Sequence, residues 1–452
     1  MIILLILTVI YIIVLALHLT GRLNKDYISL YGPFIMLKTE MGKKLIDRIA
    51  GKRKFWKAYG SLSIIVVAVM SVSMFLLLIW QMTILSRIPA DKAPTPQMMI
   101  GLPGLNPLIP IWYGILGLAV AMIVHEFAHG ILTRVADAKV KKLGLLYLIV
   151  PMGAFVEPDE DEVAAMPRKK RARLFAVGPG TNIFVAIIVV LVFAWGFMAS
   201  LEPEEDGMVV LKVSKDLPAD EAGIEPGMVI IRLDDVEINE GDDFLDFLDD
   251  TKAGQNINIT VYDNDIDGDN KIITFHNVTL ENRYNYTDLD EDEGKGYLGV
   301  SCPSTVKELS DILAHPLEGR GPKSMVASSL FYIALPFFQL TPFPESITAL
   351  YTIEGPLASL PEPLFWIMAN SLYWIFWLNL MVGITNALPA VPLDGGFIFR
   401  DFLDKILEKH RPGLSKEKRE EHVARISNSI AYLILILILL PLIVPRLLGA
   451  LF

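Results

Sequence analysis

Five stretches of the sequence, residues 2–20, 61–86, 111–133, 174–200 and 425–445, are long and apolar enough to cross a bilayer, and a sixth, 364–388, is rich in Trp and Phe. The hydrocarbon core needs about 20 mostly apolar residues as helix, because no water is present there to satisfy an open backbone. The expected fold is therefore a polytopic α-helical membrane protein with about six transmembrane helices. The first stretch has no basic residues ahead of it and no small-residue cleavage site, so it reads as a span rather than a signal peptide.

Lys and Arg residues are unevenly spread over the connections, with 10 in 21–60, 9 in 134–173 and 8 in 400–425, against 2 in 87–110 and 1 after 445. Six crossings put the basic connections on one side, which the positive-inside rule makes cytoplasmic. Residues 325–340 are apolar but short and interrupted by Pro336, so they are expected to be re-entrant or interfacial, or a helical hairpin, facing outward.

Between Glu202 and Lys295 stand 27 acidic against 7 basic residues, a net charge of −20, which leaves +9 on the rest of the chain. This stretch argues against nucleic-acid binding, which needs a positive footprint. Residues 207–300 alternate short β-branched runs with turn signals (VVLKV, GIEPGMVIIRLDD, NINITVYD), the pattern of a mostly β soluble domain. Asp263, Asp265, Asp267 and Asp269 with Gly268 imitate the start of a calcium loop, but position twelve is Thr274 rather than Glu, so an acidic hairpin turn is expected. Three sequons begin at Asn258, Asn277 and Asn285 and fit an outward location where the host glycosylates.

LPADEAGIEPGMVIIRLDDVEI resembles the segment of PDZ domains in which a small-residue helix start leads through a Pro-Gly turn into a central strand. Gly296, Tyr297, Leu298 and Gly299 resemble the loop that receives a peptide carboxylate in such domains, here placed last, as in a circular permutation. The resemblance implies strand addition of an extended peptide or substrate tail. A β domain that only shields or positions a neighbouring catalytic part is the plainer alternative.

The third apolar stretch contains VHEFAHG, residues 124–130, with His125 and His129 four apart and so on one helical face. That spacing suits two zinc-binding imidazoles, with Glu126 beside the metal as general base. Two histidines hydrogen-bonded to neighbouring helices are the alternative, but ionisable groups inside spans are costly and usually functional. Cys302 is the single cysteine, which excludes an intrachain disulfide and any site of several thiolates, so further ligands must be His or carboxylate. A catalytic zinc usually takes three protein ligands. The strongest third candidate is Asp394 in NALPAVPLDGG, an isolated acid following the inner end of its span, although a helix-capping role also suits it.

HEFAH followed far downstream by NALPAVPLDGG resembles the site-2 protease family of intramembrane metalloproteases, over about 111–200 and 364–400. By that resemblance one Zn2+ is held by His125, His129 and Asp394 while Glu126 activates water. Residues 144–161 resemble the family's membrane-associated β loop beside the active site, and extended pairing against it would unwind a substrate helix. Asn182 resembles the Asn of a G-P-x-x-N motif that binds substrate or polarises the scissile carbonyl; an interhelical hydrogen bond is the alternative. Asn386 is either a substrate contact or the cap of its helix.

The expected organisation is N-terminal helices and a basic loop over 1–100, the first catalytic half over 101–200, and the PDZ-like domain, outside the cytoplasm, over 201–304. An interfacial linker follows at 305–360, the second catalytic half at 361–400, and a basic loop with the last helix at 401–452. The active site should lie toward the cytoplasmic side of the cell membrane and act on transmembrane protein substrates. Rival readings are a zinc peptidase working at the membrane surface, a non-catalytic peptide-binding scaffold, and a transporter. Glu126 is intact, which speaks against a decayed scaffold, and no repeated halves support a transporter.

Overall fold

The computed structural model describes the chain apart from residues 1, 21–26, 32–33, 148–150, 265–269, 288, 317–321 and 452. Five helices are long and apolar enough to cross a membrane: Arg53–Thr83, Ile111–Val135, Arg168–Ser200, Glu362–Ala387 and Lys416–Ala450. They coincide with five of the six expected spans, and the remaining one is a shorter helix, α1 (Ile2–Leu19). The chain is an integral membrane protein. Leu62, Ile65, Val69, Val72 and Leu76 of the first long helix are all exposed, as expected of a face that meets lipid rather than water.

The chain forms two compact units, one of residues 1–188 and 374–452, the other Val189–Tyr373. In the first, strands β1 (Ile28–Tyr31), β2 (Phe34–Thr39), β3 (Val140–Tyr147) and β4 (Pro151–Pro158) form an antiparallel sheet in chain order. Register pairs such as Leu37 with Leu145 and Leu143 with Val156 join the N-terminal hairpin to the expected β loop. Residues 148–150 of that loop lie outside the described residues.

Four helices belong to the same unit: α2 (Lys43–Ala50), α3 (Arg53–Trp80), α4 (Ile111–Val135), which packs on β4, and, after the single turn α5 (Glu160–Ala164), α6 (Arg168–Leu191). Ile46 of α2, Ala128, Ile131 and Leu132 of α4, Leu143 and Val156 of the sheet and Val177 of α6 make one apolar core. Small residues let the helices close on one another. A Cβ on Gly117 of α4 would fall 2.6 Å from the carbonyl oxygen of Trp374.

The second unit carries an antiparallel sheet of β5 (Met208–Val209), β6 (Val229–Leu233), β7 (Val236–Glu237), β8 (Asn256–Asn264) and β9 (Asn270–Thr279). Its order is β9-β8-β6-β5, with β7 paired to β6. Alternate residues of these strands and the helix Gly241–Asp250 bury a continuous core including Ile230, Leu233, Phe244, Ile259, Val261 and Leu298. The strands read from the alternation of residues 207–300 are thus present, with a core of their own. β8 and β9 form a hairpin in register from Asn264 with Asn270, and its turn, with Asp265, Asp267, Gly268 and Asp269, lies outside the described residues. A three-residue strand Leu201–Pro203, ahead of the insert's sheet, pairs with Tyr351–Ile353 in the same unit. The apolar stretch after residue 320 forms a 13-residue helix, Pro322–Ala334, too short to cross a bilayer.

The C-terminal part of the first unit comes from the end of α7 (Glu362–Ala387), from α8 (Asp394–His410) and from α9 (Lys416–Leu451). Gly395 and Gly396, after Asp394, let the first turn of α8 fold against the end of α7. A Cβ on Gly395 would lie 2.1 Å from the carbonyl oxygen of Ala387.

Candidate metal centre

α4 is unbroken from Pro110, which stands before its first turn, to Ala136, so His125 and His129 project one turn apart on the same side. Asp394 opens α8, and ion pairs between α6 and α8 fix how that helix is presented. Arg171 grips Asp401 through two guanidinium nitrogens, while Arg168 pairs with Asp404 and Glu408. Arg419 of α9 holds Asp404 from the other side at 2.6 Å. Two turns of helix separate Asp401 from Asp394, so these contacts set the rotation of α8 and the direction of its first carboxylate.

Three donor atoms converge from these helices. His125 Nε2 and His129 Nε2 are 3.1 Å apart, and Asp394 Oδ2 is 3.1 Å from the first and 3.2 Å from the second. They form the one group of three or more His, Cys, Asp or Glu among the described residues arranged to hold a metal ion. Zinc bound tetrahedrally at ~2.0–2.1 Å separates its ligands by about 3.3 Å, close to all three sides of this triangle.

The outer atoms of the imidazoles show which nitrogen is free. His125 Nδ1–H donates to Asn182 Oδ1 at 2.6 Å, and His129 Nδ1–H donates to the Leu174 carbonyl at 2.8 Å. With the proton on Nδ1, each Nε2 presents a lone pair, and both point at a carboxylate oxygen. Three acceptors within 3.2 Å of one another repel unless a cation lies between them, which is the test a metal site has to pass. Gly178 of α6 forms the floor of this triangle: a Cβ there would sit 2.3 Å from His129 Nε2 and 2.7 Å from His125 Nε2.

Glu126 lines the same cavity of about 300 Å³ with His125, His129, Asp394, Val156, Phe175 and Asn386. Its Oε2 accepts from the backbone N–H of Val156 at 2.9 Å. Val156 lies opposite Leu143 in a register where its N–H faces away from β3, and β4 is last in the sheet order among the described residues. Glu126 therefore sits against the outer edge of the sheet.

The two asparagines singled out from the sequence part company. Asn386 lines the cavity, with its amide nitrogen donating to the Val382 carbonyl of its own helix. Asn182 is fully buried behind His125, outside the cavity wall. Its amide nitrogen donates to the Ala121 carbonyl at 2.9 Å and to Asn379 Oδ1 at 3.0 Å. Asn379 was not among the candidates, although a lone amide in the apolar run WIFWLNLMVG was a visible signal. In the insert, Gly296 and Tyr297 form a short strand paired with Glu281 and Asn282, and Leu298 is buried in the core. The Leu298 carbonyl accepts from Ala219 N–H at 3.0 Å, at the start of the helix Pro218–Ala222, and Gly299 has φ +84°.

Comparison with known proteins places this arrangement. The sequence profile of peptidase family M50 matches residues 113–438, which include all three donors and Glu126. An uncharacterised protein of Methanocaldococcus jannaschii is 27% identical over 389 residues, covering 85% of this chain and 82% of its own length. A protein of Clostridium acetobutylicum provisionally named a zinc metalloprotease is 23% identical over 314 residues, covering 63% of this chain and 84% of its own.

Proposed function

The chain belongs to peptidase family M50, the site-2 protease family, and on that premise we propose that it is an intramembrane zinc metalloprotease cleaving peptide bonds of transmembrane substrates within or near the bilayer. The observation that carries the reading is the convergence of His125, His129 and Asp394 on one point with Glu126 in the same cavity. We assign the three as ligands of one Zn2+ and Glu126 as general base and acid.

Zinc held there supplies a Lewis acid that lowers the pKa of water and polarises a substrate carbonyl. Glu126 takes the proton from the attacking water and returns it to the leaving amine as the C–N bond breaks. Asn386 is assigned a substrate contact in the cavity wall. A peptide in helical form keeps its carbonyls in the helical ladder, so the scissile segment has to be extended first. The outer edge of β4, last in the sheet order among the described residues and beside Glu126, suits that task by strand addition. We read the insert as a PDZ-like, peptide-binding domain on the extracytoplasmic side, with Gly296–Gly299 at its binding loop and the active site toward the cytoplasm.

The test is purification in detergent, measurement of bound zinc, and cleavage of a helical membrane substrate. Glu126→Ala should keep its zinc and lose cleavage by about 10²–10⁴-fold. Equal cleavage by wild type and Glu126→Ala would sink the enzymatic reading.

A further inference from the structure

The geometry points to Asn379, which touches no metal ligand, as a positioning residue that selects the metal-binding tautomer of His125 by orienting Asn182. This rests on the assignment of His125 as a ligand and extends it to a residue one helix away.

The two imidazoles are fixed by different means. His129 donates to a main-chain carbonyl, that of Leu174, which accepts in any rotamer of any side chain at that position. His125 donates to a side-chain amide, that of Asn182. An amide presents an oxygen on one side and an NH2 on the other, and the two orientations fill the same space. Turned over, Asn182 would present N–H groups to His125 Nδ1. The imidazole would then have to accept at Nδ1 and carry its proton on Nε2, the atom that faces His129 and Asp394. The lone pair that makes His125 a ligand would be gone.

Two acceptors hold Asn182 the right way round, the Ala121 carbonyl in α4 and Asn379 Oδ1 in α7. Asn379 is itself an amide and needs the same discipline. Its Nδ2 donates to the Ile375 carbonyl one turn earlier at 2.8 Å, which leaves its oxygen toward Asn182. Asn182 and Asn379 are both completely buried, so no solvent water substitutes for either partner. The polarity thus runs from Ile375 O through two amides to one imidazole nitrogen, across three helices that between them lead to every ligand. Conversion of an outer hydrogen-bond partner of a metal ligand costs ~10–100-fold in metal affinity, and that is the scale expected here.

The experiment measures zinc affinity of the full-length protein in detergent by competition with a chelator of known affinity. Asn379→Leu should weaken zinc binding by about tenfold or more. The decisive background is Asn182→Ala, which removes the amide through which Asn379 acts. In that background Asn379→Leu should change the remaining zinc affinity by less than about threefold, whereas a packing defect at 379 would persist there. Zinc affinity unchanged in Asn379→Leu, or a defect of full size added by Asn379→Leu in the Asn182→Ala background, would each overturn the relay. His125→Ala separates the levels: if it bound zinc as tightly as wild type, the ligand assignment itself would fall, whatever Asn379 does.

Discussion

Ile230, Ile259 and Val261 in the acidic insert and His125, Asn182 and Asn379 among the membrane helices are almost equally shut off from solvent. The first group is held by contacts that many neighbours share, since Ile, Leu, Val, Met and Phe side chains around it fill one continuous core. The second is held by single polar contacts, one donor to one acceptor, with little redundancy. Burial alone therefore does not say what a substitution will do. Loss of a methyl group in the insert removes a little of a distributed term, while loss of one oxygen at the centre changes which atom carries a proton.

That contrast is sharpest for Asp394, the ligand proposed on α8. Asp394→Ala should lose zinc and cleavage together while the fold of the insert stays intact. The half-buried Cys302 reports on the latter. It packs against the insert core, and burial pushes its thiol up to about 12, so a thiol reagent should modify it slowly in folded protein. Full zinc occupancy and activity in Asp394→Ala would remove the third-ligand assignment.

Next in expected size is Gly178→Ala, which adds one methyl group where the two Nε2 atoms leave no room. Zinc affinity should fall by about 100-fold, the upper end of what displaced ligand support costs, again with slow Cys302 modification. A variant binding zinc as the wild type does would mean that α6 is not the floor of the site.

The smallest effect on zinc should come from Ile259→Ala in the insert. It should cost about 2–5 kcal/mol of insert stability through lost burial and a residual cavity, and so speed the modification of Cys302. Zinc content should not change. Parallel loss of zinc would break the comparison, because the two regions would then share one cooperative unit.

The convergence of His125, His129 and Asp394 was legible in the chain because a metal site demands donor residue types at fixed spacing. His125 and His129 four apart, Glu126 between them and Asp394 before two glycines are constraints that short strings display directly. The spans were legible for an equally physical reason, since an apolar run has no alternative but the bilayer or a core. What escaped were pairings between distant segments. Ile28–Tyr31 and Phe34–Thr39 carry no motif, yet they form two of the four strands of the sheet that ends at β4, and only the register of the second with Leu143–Tyr147 reveals it. Asn182 looked equally able to face a substrate or a helix, because nothing local says which way a side chain in a span points. Asn379 was visible as an oddity, but its meaning lies in a hydrogen bond to a residue 197 positions earlier.

The short pairing of Leu201–Pro203 with Tyr351–Ile353 bears on how such a centre is put together during synthesis. Asp394 emerges 265 residues after His129, and for most of that interval the growing chain carries two imidazoles without their carboxylate. Closing so long a loop is cheaper than its length suggests, since each doubling adds only about 0.6 kcal/mol. Entropy is thus not the main obstacle. Pairing residue 201 with residue 353 brings the polypeptide back beside an early strand of its own unit before α8 and Asp394 are made. Copies cut short before Asp394 would carry the two imidazoles and lack the third donor of the triangle.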